Sequence, residues 1–306
     1  MKIDASAARL FLSYLDGDTS LTEVWNHPAY DVVRSHADLF GREVTERDVA
    51  AAASGEETVF ARNEPPTESR DRIAGLLDHV RAHATEWTEQ ISKQLRRATH
   101  EDDLSEVTVY LGVGYTLGAG LDNGAYIDLN EPLFFEYPRQ VLYTAIHESS
   151  HVVYEQEHEA RKEFSLEGDA LARAETQWDV FNTVFHTEAY ATYTPLACRR
   201  ADGAVGTQDH VVCEDYAILS DTSRLETLVE QYDSLRETLQ QQPVSRDRLF
   251  GALLSDDRLP YRVGCAMLDA LERTAGAEAV RDGFYNEPGE FCKEHDALLD
   301  EYRTLS

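Results

Sequence analysis

His147-Glu148-Ser149-Ser150-His151 sits inside a stretch, from Pro138 to about Glu155, whose pattern predicts a single helix. Pro138 suits a first turn, where its missing N–H would have no partner in any case. Val141, Leu142, Ala145, Ile146, Val152 and Val153 give the helix a broad apolar surface, so it is expected to be buried. Two histidines four apart lie one above the other on one face. A polar His-Glu-His set within such a helix is costly unless something satisfies it. One zinc ion held at the two imidazole tips does so, and Glu148 then points beside the pair, within reach of a water on the metal. The plain alternative is a helix whose histidines are exposed or hydrogen-bonded.

A catalytic zinc site takes a third protein ligand and keeps one position open. Six residues after His151 stands Glu157, and His158 comes one residue too late, so the metzincin pattern is excluded. A glutamate from a later helix is the other solution, with Glu163, Glu167, Glu175 and Glu188 as candidates. The segment Glu188-Ala189-Tyr190-Ala191-Thr192-Tyr193 resembles the gluzincin pattern E-G-[FL]-A-x-Y, with Ala189 in place of glycine. Before it, Trp178, Val180, Phe181, Val184 and Phe185 supply a core face. The runner-up is Glu167, followed by Gly168 but lacking the aromatic residue at the end. Leu259-Pro260-Tyr261-Arg262-Val263-Gly264 resembles the Y-x-x-G helix start of gluzincin aminopeptidases. That resemblance implies a tyrosine, here Tyr261, whose hydroxyl donates to the oxyanion formed on hydrolysis. Arg262 is a candidate to bind a substrate carboxylate, or else to pair with an acid.

Val107–Leu111 and Ala125–Leu129 alternate as strands. Between them, Gly112 to Gly120 is too glycine-rich for a helix and predicts a flexible hairpin connection or loop. No Lys-Ser/Thr follows it, which argues against phosphate binding. A small sheet ahead of the metal helix is similar to the order in zincin folds, whose edge strand pairs with extended peptides. Tyr126 is a candidate substrate contact on the second strand. The chain as a whole resembles the gluzincins, and within them uncharacterised zinc-protease families with H-E-x-x-H and a later E-G-x-A. The resemblance runs from about Val107 to Ala197 and again from Leu259 to about Phe291. It implies a mainly α (α+β) protein with a zincin-like catalytic core, bound Zn²⁺, Glu148 as general base, and a peptide or protein substrate. Rival readings are a zinc hydrolase of a non-peptide bond, an inactive zinc- or peptide-binding module, and a metal-free helical protein.

Around this core, helices are expected over 4–15, in short pieces to about Ala53, from Thr67 to about Arg97, and over 212–220, 223–241, 245–254, 261–275 and 288–304. Asn63-Glu64-Pro65-Pro66-Thr67 is a break, dividing a helical cap (1–65) from a catalytic domain (66–306), unless the two form one domain. The 306 residues carry 28 basic and 57 acidic side chains, a net −29, and only four lysines. Acidic excess with scarce lysine predicts a protein of a salt-loving prokaryote, where screening removes self-repulsion. No basic patch favours nucleic acid. The start, Met1-Lys2-Ile3-Asp4-Ala5, does not read as a secretory signal, and no stretch is apolar enough for a membrane span, so a cytoplasmic protein is expected. Cys198, Cys213, Cys265 and Cys292 lack C-x-x-C spacing and are expected to be reduced core thiols.

Overall fold

The computed structural model describes residues 1–56, 58–60, 64–158, 171, 173–206 and 210–303. Helices dominate, and a four-stranded sheet accompanies them. The chain divides into two compact units: residues 1–95 with 101–156, and residues 96–100 with 157–306.

The first unit begins with strand β1 (Lys2–Asp4) and helices α1 (Ser6–Leu15), α2 (Leu21–Trp25), α3 (Pro28–Leu39) and α4 (Glu46–Ala53). The expected helix over 4–15 therefore starts two residues late. Lys2-Ile3-Asp4 is a strand, and Asp4 accepts a hydrogen bond from the Ser6 N–H at 2.9 Å where the helix opens. The long helix α5 (Pro66–Ala98) follows and carries the chain across to β2 (Thr108–Gly112). Ile73, Leu77, Val80, Trp87, Ile91 and Leu95 keep its apolar stripe buried. Strands β3 (Gly118–Leu121) and β4 (Gly124–Asp128), the short helix α6 (Pro132–Glu136) and helix α7 (Arg139–Glu157) come next.

The sheet order is β1-β2-β4-β3. β1 runs parallel to β2, with Ile3 opposite Val109, and β2 runs parallel to β4, with Leu111 opposite Ile127. β3 is antiparallel to β4 and forms one edge. Two expectations are corrected here. The amino-terminal segment is not a cap parted from the rest near Pro65, because β1 completes the same sheet as β2 and β4. The glycine-rich stretch is not a hairpin connection between the two strands read from the sequence, since those strands are parallel. Its second half is itself a strand.

Its first half is held by side chains. Tyr30 Oη donates to the Val113 carbonyl at 3.1 Å and Tyr126 Oη to the Gly114 carbonyl at 2.7 Å. Asp128 Oδ1 accepts from the N–H groups of Gly114 and Asn130, each at 2.8 Å. The loop carries Tyr115 at φ 91°, a costly backbone for a side chain of that size. Tyr126 is thus a wholly buried member of the core, with its hydroxyl committed to the loop, and it is not a substrate contact.

In the second unit, α8 (Ala174–Tyr193) and α9 (Leu196–Ala201) precede α10 (Val211–Ala217), α11 (Thr222–Gln241) and α12 (Arg246–Phe250). Two π-helical segments, Gly251–Ser255 and Pro260–Gly264, lead into α13 (Cys265–Ala275), α14 (Ala277–Phe284) and α15 (Pro288–Glu294). Helix α14 and the two π segments were not expected. All four cysteines are free and buried. Among the described residues, no helix is long and apolar enough to cross a membrane.

Burial pushes the Asp128 carboxyl up to about 7 from an ordinary 3.8, although the two accepted N–H bonds act the other way. The folded chain therefore binds more protons than the unfolded one between those values, and stability falls as pH rises through that window. Asp128→Asn keeps an acceptor oxygen and removes the charge. Its melting temperature relative to the parent protein should be higher at about pH 8 than at about pH 5, read by scanning calorimetry in high salt. An equal difference at both pH values would show that the Asp128 charge is not penalised by the fold.

Candidate metal centre

Helix α7 is buried around most of its circumference, from Gln140 to Ile146 and from Glu148 to Glu155. The predicted burial of Val141, Leu142, Ala145, Ile146, Val152 and Val153 is what the structure shows. One helical turn brings His147 and His151 together, with ring centroids 4.9 Å apart and the two Nε2 atoms 3.2 Å apart. His151 is buried and His147 half-buried. Two nitrogens bound tetrahedrally to one zinc at about 2.0–2.1 Å lie about 3.3 Å from each other, so the pair fits a shared cation. Without a cation the same spacing suits one imidazole N–H donating to the other ring. Two unprotonated nitrogens facing each other would repel.

Glu148, only 7% exposed, points to the side of the pair and lies against the edge strand. A Cβ built on Gly118 would fall 2.5 Å from Glu148 Oε1. A Cβ on Gly120 would fall 2.1 Å from the Glu148 carbonyl oxygen and 2.8 Å from the His151 Cβ. Residues two apart face one side of a strand, so both glycines turn the same bare face to α7. That close approach is why β3 contains glycine where β propensity would favour a branched residue. The two glycines were legible in Gly118-Ala119-Gly120 as an alternating pair on one strand face, and the sequence analysis read them only as a loop.

The remaining candidates lie in the second unit. Glu188 is half-buried in α8, between the buried Thr187 and Ala189. Ala189 stands where the gluzincin pattern has glycine, and the packing there is close. A Cβ on Gly264 would meet the Ala189 Cβ at 2.5 Å, so Gly264 lets the Tyr261 segment settle on α8 beside Glu188. Glu175 is exposed in the first turn of the same helix. Glu163 and Glu167 lie outside the described residues. Tyr261 is half-buried, and the Arg258 guanidinium carbon stands 3.7 Å from its ring centroid. Of the two roles open to Arg262, the structure shows the pairing with an acid. Its Nε donates to Asp215 Oδ1 at 2.9 Å, its Nη1 faces the Asp257 carbonyl at 3.3 Å, and the residue is 7% exposed. Asp215 and Arg258 were missed from sequence, where nothing marks two residues 43 positions apart as partners.

The two glycines predict unequal costs. Gly120→Ala drives a methyl into helix backbone, which cannot yield locally, and should lower stability by roughly 1–3 kcal/mol or more. Gly118→Ala meets only the far end of the Glu148 side chain, which can swing away, and should cost less. Urea denaturation of both variants checks the order, and a Gly118→Ala loss equal to that of Gly120→Ala would contradict the packing described.

Comparison with protein-family models, with curated proteins and with solved structures returned no match.

Proposed function

We propose that the protein is a zinc-dependent hydrolase, a gluzincin-like peptidase, in which His147 and His151 of the first unit and Glu188 of the second hold one Zn²⁺. The observation that carries this reading is the Nε2 pair 3.2 Å apart, with the Glu148 carboxylate beside it against the edge strand. A mixed sheet whose antiparallel edge strand lies on the H-E-x-x-H helix supports a zincin-like core. The resemblance of the Glu188 and Tyr261 segments supports the third ligand and the oxyanion donor.

Bound zinc would supply Lewis-acid chemistry, lowering the pKa of a water towards about 7 and polarising the scissile carbonyl. Glu148 accepts the proton of the attacking water and delivers it to the leaving amine. Its burial and the bare glycine face keep it in one place with little competing solvent. Tyr261 donates its hydroxyl to the carbonyl oxygen as charge develops there. An extended peptide adds to the free side of β3 by strand pairing. Arg262 has no part in binding, because its guanidinium is spent on Asp215 and a backbone carbonyl. The acidic, lysine-poor composition fits activity in concentrated salt.

Zinc analysis of the protein purified in high salt should find one ion per chain. Glu188→Ala should lose it and Glu167→Ala should keep it. Glu148→Gln should retain zinc while hydrolysis in a broad peptide-library digestion falls about 10²-fold or more. A metal-free parent protein would end the reading. Loss of zinc from Glu167→Ala alone would move the third ligand, and full activity of Glu148→Gln would remove the base.

A further inference from the structure

In the second unit, Asp215 on α10 is 1% exposed and lies between two guanidinium groups. Arg258 donates to its Oδ2 through Nε at 2.9 Å and through Nη2 at 2.7 Å. Arg262 donates to Oδ1 through Nε at 2.9 Å. The Nη1 of Arg258 donates to the Leu254 carbonyl at 3.0 Å, so each nitrogen of this guanidinium has an acceptor. Neither arginine can swing towards a ligand without abandoning a buried carboxylate, which is a strongly unfavourable exchange.

The backbone at Arg258 is unusual as well. Its φ is 49°, in the left-handed region that a long side chain avoids, and it falls between the two π-helical segments. A strained residue persists only where its surroundings over-determine it. An ion pair alone does not require the strain, since Arg262 already neutralises Asp215 from regular helical backbone. What the left-handed turn adds is placement: it lays the Arg258 guanidinium over the face of Tyr261, 3.7 Å from the ring centroid. Burial alone would lower the Arg258 pKa, but Tyr261, Asp215 and Glu188 outweigh it and raise it, so the group stays a cation.

We infer that Arg258, anchored on Asp215, is a positioning residue for Tyr261: its guanidinium plane fixes the phenol ring, and its charge strengthens the hydroxyl as a hydrogen-bond donor. The catalytic meaning of this placement rests on the hydrolase reading above; the placement itself does not. Asp215 is shared by the residues at 258 and 262, so one carboxylate sets both ends of the turn that carries Tyr261.

The test places a fluorotyrosine at position 261 in the full chain and follows its ¹⁹F resonance in the parent protein, in Arg258→Met and in Arg258→Lys. Methionine keeps the aliphatic length and the same backbone cost, and Asp215 keeps Arg262, so the fold should survive; circular dichroism and a thermal melt verify it. The parent resonance should lie away from that of a solvent-exposed fluorotyrosine. Arg258→Met should shift it towards the exposed value, and Arg258→Lys, which keeps a cation but not the fork that grips Asp215, should fall between. An unmoved resonance in a folded Arg258→Met overturns the inference whether or not the protein hydrolyses anything. On a peptide substrate, Arg258→Met should reduce kcat about tenfold or more with KM little changed, as Tyr261→Phe does. The two together should lose no more than Tyr261→Phe alone. Additive losses would show that Arg258 acts independently of the tyrosine and would likewise overturn it.

Discussion

The contact between a glycine-faced edge strand and helix α7 is the constraint around which the first unit is arranged. Strand backbone and helix backbone meet there without side chains between them, because any Cβ at Gly118 or Gly120 would overlap Glu148 or His151. Such closeness needs the strand to be aimed accurately. The aim comes from the preceding loop, fixed at Val113 and Gly114 by Tyr30, Tyr126 and Asp128. A buried carboxyl is a costly fixing point, yet it accepts two backbone N–H groups that would otherwise be left unsatisfied in the interior. The polar network is thus set by the geometry it serves: it pins the one segment whose displacement would uncover Glu148.

How much of this was legible in the sequence depends on the range of the determining interaction. Helix α7 and its buried apolar surface followed from spacing alone, because a helix is specified within a few turns. The long helix α5 was read nearly to its ends for the same reason. Strand β1 was not, since three residues carry no usable period and their state is fixed by pairing with β2, more than a hundred positions later. Strand β3 was read as a loop because glycine lowers local strand propensity, whereas the close approach to α7 requires it. Tyr126 looked like an outward strand residue, but a strand with a neighbour on each side and helices nearby leaves no outward face there. The His147-Glu148-His151 cluster was readable because its members lie within two turns. The Asp215–Arg258–Arg262 cluster was not, because its two halves come from different helices.

The charge balance bears on how the arginines are used. With four lysines and a net −29, most of the cationic side chains are guanidinium groups. Several grip a carboxylate through two nitrogens, as Arg200 does on Asp269 and Arg303 on Asp233. A fork of this kind holds its geometry where a lysine would remain a mobile point charge. Exposed examples add little to stability. Their value lies in spacing the acidic groups of a strongly charged surface at low cost in ordered water.

Asp215 shows where the same chemistry becomes decisive. Out of solvent, one carboxylate between two guanidinium groups is stable only while both partners stay in place, because losing either leaves charge in a medium that screens it poorly. The cluster therefore converts a local backbone strain at Arg258 into a fixed orientation, much as the Asp128 network converts a buried acid into a fixed loop. In each unit a buried, multiply bonded carboxylate sets the position of a neighbouring segment, and that segment carries a residue of the proposed chemistry: the edge strand against Glu148 in one, Tyr261 in the other. Polar groups kept in the interior at such expense, at these two places, are better explained by the positions they impose than by the stability they add, since an apolar core of equal volume would hold each unit together at lower cost.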